Sequence, residues 1–395
     1  MNNKILFTGG LVFDGKGELS EDVAVLVENN RIVDVASKAA FEGFSGELVD
    51  TSGATLMPGL TDSHVHLCYK GGADPSAALA KLSPGDITLT VLENAQCSLR
   101  HGITSLRDCG GKEYLEFPVR DAINRGTFQG PTIHLSGRMI CMTGGHGSRW
   151  GRIADGCDEV IKAVREQIRA GCDFVKVMAT GGVMTPGVQP KDAHYTAEEM
   201  VCAIQEAHRL HKRTATHAQG TEGILNAVRG GITSVEHGVF VDETCIQEML
   251  DAGTYLVPTI SALRNMVDNA DKGVPSFMVE KARQVEQQQR DSLLEFYHAG
   301  GLLAMGTDAG TPFNLHGANA WELKFMVDYG ISEKDALRAG CFAGADLMGL
   351  PEQGHIGKGA MADLLLVKGN PLQDITMAAD YRNHLAVYKK GQLVQ

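Results

Sequence analysis

Eight short runs of apolar and β-branched residues recur along the chain, four of them ending in Gly. This rhythm restricts the fold more than any other feature. The runs cover residues 56–67, 103–110, 132–140, 174–181, 214–220, 233–240, 254–261 and 302–310. Helical-period segments separate them. In 196–211, for example, Thr196 and Glu199 make a capping box ahead of an apolar stripe at Met200, Ile204 and Ala207. Alternating β and α units imply a parallel sheet, and eight of them imply closure, so the predicted fold is α/β: a (β/α)8 TIM barrel. The repeated Gly-Ile-Thr-Ser at 102–105 and 231–234 places glycine at a helix end just before a strand in two equivalent corners.

The two ends of the chain break the rhythm. Residues 4–55 read as short alternating strands (5–7, 23–28, 31–35), and 363–367 with 385–388 read as hairpin material. Neither end alone makes a stable sheet, so both are expected to pair into one small β-sandwich domain. The expected domains are 1–56 and 353–395 for the two parts of that sandwich and 57–352 for the barrel. Residues 262–292 are polar, Gln-rich and too long for an ordinary loop, which predicts a helical cover over the barrel mouth.

Composition removes several classes of function. The 36 Lys and Arg against 48 Asp and Glu give a net charge of -12, which repels phosphate backbones and anionic membranes. No apolar run approaches a membrane span and the N-terminus lacks signal-peptide character, so a cytoplasmic protein with a small-molecule substrate is expected, with no nucleic acid or membrane partner. The nine cysteines are scattered without a CxxC pair, which predicts reduced, buried thiols rather than a disulfide framework. Cys68 and Cys141 stand beside motifs that could place them at a pocket.

Asp62-Ser-His64-Val-His66 closes the first run, and strand alternation points both imidazoles the same way, into the barrel. Polar residues recur at the same position on later runs: Lys176, His217, His237 and Asp308, each in an apolar strand. In this fold catalytic groups collect at the C-terminal strand ends. A lysine there is anomalous, because an unpaired buried ammonium is strongly disfavoured; carbamylation by CO2 would make it an anion with two oxygen ligands. Four histidines, one aspartate and one carbamate suffice for two divalent ions.

On these six positions, the Met57-Pro-Gly-Leu-Thr-Asp62 lead-in and the flanking β material, the chain resembles the amidohydrolase superfamily over nearly its whole length. The resemblance implies that His64, His66 and Asp308 hold one metal, His217 and His237 a second, and carbamylated Lys176 both. Zinc is the first expectation, with Mn, Co or Fe as alternatives. It also implies attack by a metal-bridging hydroxide, with Asp308 moving its proton to the leaving nitrogen. Gly144-Gly-His146 after the third run and Ala179-Thr-Gly-Gly-Val183 closing the fourth are similar to the prolidase-like and Xaa-Arg dipeptidase or carboxypeptidase branch, whose members form homo-oligomers. The expected reaction is therefore hydrolysis of an amide or peptide bond in a dipeptide or N-acyl amino acid. His146 is expected to donate to the substrate, with Arg138, Arg149, Tyr195 and His316 as further substrate contacts, and Arg152 and His194 nearby. The rivals are an imidazolonepropionase-like cyclic amidohydrolase or a deaminase, a lactonase or carbamate hydrolase, and a non-catalytic scaffold. No glutamate follows His217 to serve a deaminase as proton shuttle, and no ligand position is lost as a scaffold would require.

Overall fold

A computed structural model describes residues 4–394. The chain forms two compact units, one of the residues up to Asp62 with Gln96–Ser105 and Gly317 onward, the other of Ser63–Ala95 and Leu106–His316.

In the first unit, short strands of both chain ends share a six-stranded sheet. Its order is Gln392–Leu393, His384–Lys389, Leu364–Lys368, Ala54–Pro58, Leu11–Phe13 and Leu19–Ser20. Leu364–Lys368 runs antiparallel to Ala54–Pro58, so the two ends of the chain are hydrogen-bonded to each other. Lys4–Thr8, Val23–Glu28, Arg31–Ser37 and Glu47–Asp50 make a four-stranded sheet. Alternation along these strands buries Phe7, Val25 and Ile32 from one sheet against Leu56, Leu364 and Tyr388 from the other. Phe7 meets Tyr388 edge-on with centroids 5.0 Å apart. The run 56–67 is not one strand. It divides at Gly59, where a Cβ would stand 2.2 Å from the Thr104 methyl, so only glycine lets the chain cross to the strand Leu60–Val65.

Two further sheets supply the strands whose C-terminal ends carry candidate site residues. A three-stranded sheet has the order Thr132–Leu135, Ile103–Asp108, Leu60–Val65. A six-stranded sheet has the order Arg152–Ile153, Ile140–Cys141, Phe174–Met178, Arg213–Ala218, Ser234–His237, Tyr255–Val257, parallel throughout. Every residue of Phe174–Met178 and Ser234–His237 is buried, as expected of strands covered on both faces. The register Met178↔His217 and Ala218↔His237 brings the C-terminal strand ends level. Run 132–140 is interrupted after Leu135, and run 302–310 forms no regular strand. There only bridges Leu256↔Leu303 and Val65↔Ala309 form, with Ser63 N–H donating to Met305 O at 2.8 Å and His66 N–H to Ala309 O at 2.9 Å. Asp308 breaks that segment with a left-handed φ of 59°.

The helix Ala197–Arg209 starts at the expected capping box, Thr196 and Glu199 each satisfying the other's backbone N–H. The 262–292 stretch is helical, in Ile260–Asp268 and Ser276–His298. The cysteine expectation needs correction, because Cys157 and Cys202 are disulfide-bonded. Their separation of 45 residues carries no motif; the packing of helix Gly156–Ala170 beside Ala197–Arg209 brings them together. Cys68 and Cys141 are buried thiols. Among the described residues no helix is long and apolar enough to cross a membrane.

Candidate active site

Four imidazoles stand at the strand ends, and each has one ring nitrogen tied to a buried acceptor. His64 Nδ1 donates to Glu236 Oε2 at 2.8 Å and His66 Nδ1 to the Gly110 carbonyl at 2.7 Å. His217 Nε2 donates to the Gly181 carbonyl at 2.9 Å. His237 Nδ1 donates to Thr259 Oγ1 at 2.7 Å, whose own hydroxyl proton goes to Pro258 O. These bonds place the ring proton on the outer nitrogen, so the lone pairs of His64 Nε2, His66 Nε2, His237 Nε2 and His217 Nδ1 serve the cavity that all four rings line. Ring centroids lie 5.5 Å apart for His64 and His66, 5.2 Å for His64 and His237, and 4.6 Å for His217 and His237.

Asp308 supplies a test of whether this cluster fits a metal ion. Its Oδ1 is buried, accepts no hydrogen bond, and lies 3.5 Å from His64 Nε2 and 3.3 Å from His66 Nε2. Leaving a buried carboxylate oxygen unsatisfied costs about 1–3 kcal/mol or more. Ligand atoms of a tetrahedral zinc ion at about 2.0–2.1 Å stand roughly 3.3 Å from one another. The three atoms thus have the spacing of a metal's ligands and not the contacts of a hydrogen-bonded core, and the residues fit the group.

Lys176 is 2 % exposed among these rings, and no carboxylate pairs with it among the described residues. Burial, reinforced by the charge of Lys176 and by neighbouring imidazoles, holds His64, His217 and His237 well below the ordinary histidine range. They are therefore neutral at pH 7, the form that binds metal. His66 differs: burial works against its charge, but its contact with Asp308 more than offsets this and raises it.

A cavity of about 330 Å³ opens over the cluster. Its walls are largely apolar, with Met139, Met178, Met184, Met266, Met278 and Phe277 among them, the last three from the helices of the 262–292 stretch or its flank. His146 lines it too. Its ring is 4.4 Å from that of His217 and its Nδ1 is 2.8 Å from Thr185 Oγ1. It fits there because Gly182 has no side chain: a Cβ would be 2.6 Å from His146 Nε2. Burial drives its pKa down to about 3, so it is a neutral hydrogen-bonding group.

The structure separates the remaining expected contacts. Arg149 lines the cavity, stacked 4.9 Å over Trp150, and pairs with no carboxylate among the described residues. Arg138 binds the backbone carbonyls of Trp150 and Gly151, and Arg152 pairs with Glu159 and Glu166. Tyr195 is buried with its hydroxyl on Ala154 O. His316 Nε2 contacts the His66 carbonyl at 3.2 Å, and His194 Nδ1 receives the His146 N–H at 3.4 Å; both support the site from behind the wall. Arg138, Tyr195 and His316, expected as substrate contacts, do not line the cavity; the Arg138 guanidinium, the Tyr195 hydroxyl and His316 Nε2 meet backbone carbonyls instead. Neither Cys68 nor Cys141 lines the cavity, whereas Cys109 does.

Glu236, Arg107 and Thr259 were not anticipated. Arg107 Nη2 lies 2.7 Å from Glu236 Oε1 with both side chains buried, and its Nη1 reaches Ser234 Oγ at 3.0 Å. Glu236 precedes His237, so alternation alone sends it to the opposite face. His237 has a left-handed φ of 73°, and this breaks the alternation and lets both residues serve the site. An Arg and a Glu in apolar strand runs were the available signal.

The sequence profile of the amidohydrolase family matches residues 55–394. The chain belongs to the amidohydrolase family. This amidohydrolase is 31% identical to an ochratoxinase of Aspergillus niger, over 97% of its own length and 85% of that protein's. Among solved structures it resembles a Xaa-Pro dipeptidase with bound methionine in the active site, at TM-score 0.90 and 31% identity over 99% of both chains. It also resembles a prolidase complexed with N-methylphosphonate-L-proline, at TM-score 0.91 and 29% identity over 100% of both. The fold is accordingly TIM-barrel-like α/β.

Proposed function

We propose that this amidohydrolase is a metal-dependent hydrolase that cleaves the amide bond of dipeptides or N-acyl amino acids. The observation that carries the reading is the unsatisfied Asp308 Oδ1 held at ligand spacing from two imidazoles whose outer nitrogens are fixed. His64, His66 and Asp308 would hold one divalent ion and His217 and His237 a second, and Lys176, carbamylated by CO2 as its neutral amine with loss of one proton, would offer ligand oxygens to both. Bound there, zinc or a similar ion supplies Lewis acidity, acidifying the attacking water and polarising the scissile carbonyl. Asp308 takes up the proton of that water and delivers it to the leaving nitrogen. His146, with Nδ1 accepting from Thr185, presents Nε2–H to the substrate's carbonyl or carboxylate oxygen. Arg149 is the cation for the product's carboxylate. The apolar wall takes the side chain or acyl group, and the relatives named prolidase and Xaa-Pro dipeptidase, one with methionine in its site, support a substrate of this kind. Chain closure into a barrel is supported by the bonds of 302–309 to Ser63, His66 and Leu256 on one side and of Asp173 N–H to Leu135 O on the other. The sheet shared by strands from both ends of the chain supports a small β-sandwich domain built from the two.

A library of dipeptides and N-acyl amino acids, assayed with Zn- or Mn-reconstituted enzyme, tests this reading. Amide cleavage that requires a free carboxylate is expected. Turnover of aromatic ring amines without amide cleavage would contradict it.

A further inference from the structure

The segment 181–188 is irregular, contains three glycines and a proline, and nevertheless touches two site histidines at defined atoms. Gly181 O receives His217 Nε2–H, Thr185 Oγ1 meets His146 Nδ1, and the bare Cα of Gly182 makes room for the His146 ring. A loop of this composition does not hold such positions by itself. Its support comes from the helix Ser276–His298. Lys281, 8 % exposed, sends its ammonium into the loop, 2.7 Å from Thr185 O, 2.6 Å from Val188 O and 3.4 Å from Gly182 O. Three donors meet three carbonyls, which matches the hydrogen-bonding capacity of an ammonium, and no carboxylate lies within ion-pairing distance among the described residues. Charge-assisted bonds of this kind are stronger than neutral ones, so one side chain can order a whole loop. Lys281 also stands one helical turn beyond Phe277, whose ring lines the cavity and lies 5.6 Å from Nζ.

We propose that Lys281 is a positioning residue for the reaction: it clamps residues 182–188 to the cover helix and thereby sets His146, through Thr185, over the reacting carbonyl. The proposal rests on the reading of His146 given above. Lys281 acts through His146, so the two should not be independent. This coupling separates positioning from a general contribution to stability.

The test is a double-mutant cycle of Lys281→Met and His146→Ala in the metal-loaded full chain, on an N-acyl amino acid that the wild type hydrolyses. Hydrogen exchange of the 181–190 amides is followed in parallel. Lys281→Met alone should lower kcat on the order of 10–100-fold, as misplacement of a catalytic group does, with bound metal unchanged and the loop amides exchanging faster. In the His146→Ala background the same substitution should cost less than about 2-fold. Lys281→Arg keeps charge and donors, should retain most of the protection, and serves if the Met variant is unstable. Equal losses in both backgrounds, or unaltered loop exchange in Lys281→Met, would overturn the proposal. A fully active His146→Ala enzyme would instead remove the role of His146, an outcome distinct from the clamp's failure.

Discussion

The four strand-end imidazoles and His146 face one cavity but are held by different kinds of partner. His64, His66, His217 and His237 stand on or at the ends of strands, and each is fixed through its outer nitrogen; His64 and His237 use side chains of neighbouring strand ends, Glu236 and Thr259. His146 sits in a glycine-rich turn, and its partner Thr185 belongs to a loop that is itself held by Lys281. The difference divides the labour. The groups proposed to hold an ion stand at strand ends, whereas the group proposed to meet the substrate stands on a loop; the two meet at Gly181, which holds His217 and is itself tied by its N–H to Asp192 O.

This comparison breaks most sharply at Lys176. Its replacement by Ala should cost at least about a thousandfold in kcat/KM, about 4 kcal/mol of transition-state stabilisation. Short carboxylic acids should restore part of that activity by standing in for the carbamate. Full activity in Lys176→Ala would remove the bridge from the account.

A smaller effect is expected one layer outward, at Glu236. The Gln variant offers His64 Nδ1 either a carbonyl oxygen or an amide N–H. If the oxygen stays on Arg107, the amide donates to Nδ1 and forces the ring proton onto Nε2, where it blocks coordination. Metal affinity measured by chelator competition should fall about 10–100-fold. The loop residues Thr185 and Lys281 should leave it unchanged. Equal metal affinity in Glu236→Gln would show that the frame does not set the tautomer.

Much of the frame was legible because it obeys simple periodicities. His64 and His66 share a face by alternation, and the glycines of the two Gly-Ile-Thr-Ser segments, Gly102 and Gly231, both adopt the left-handed conformation that precedes a strand. What was not legible depends on departures from periodicity. Glu236 and His237 are adjacent yet both serve the site because His237 has a positive φ, and Asp308 in the irregular run 302–310 has one too. Arg138 and Arg149 cannot be told apart in sequence, since one binds backbone and the other faces the cavity only through the path of a glycine-rich turn. The Cys157–Cys202 bond likewise depends on which helices become neighbours.

Every part of this account depends on cations held between the strand ends. Elemental analysis of the purified chain, with the metal-binding stoichiometry titrated after chelation, tests that most directly. Two divalent ions per chain, falling in variants of His64 or His237 and unaffected in His146→Ala, is the predicted result. A chain that binds no divalent ion, or binds the same number after those histidines are replaced, would contradict it.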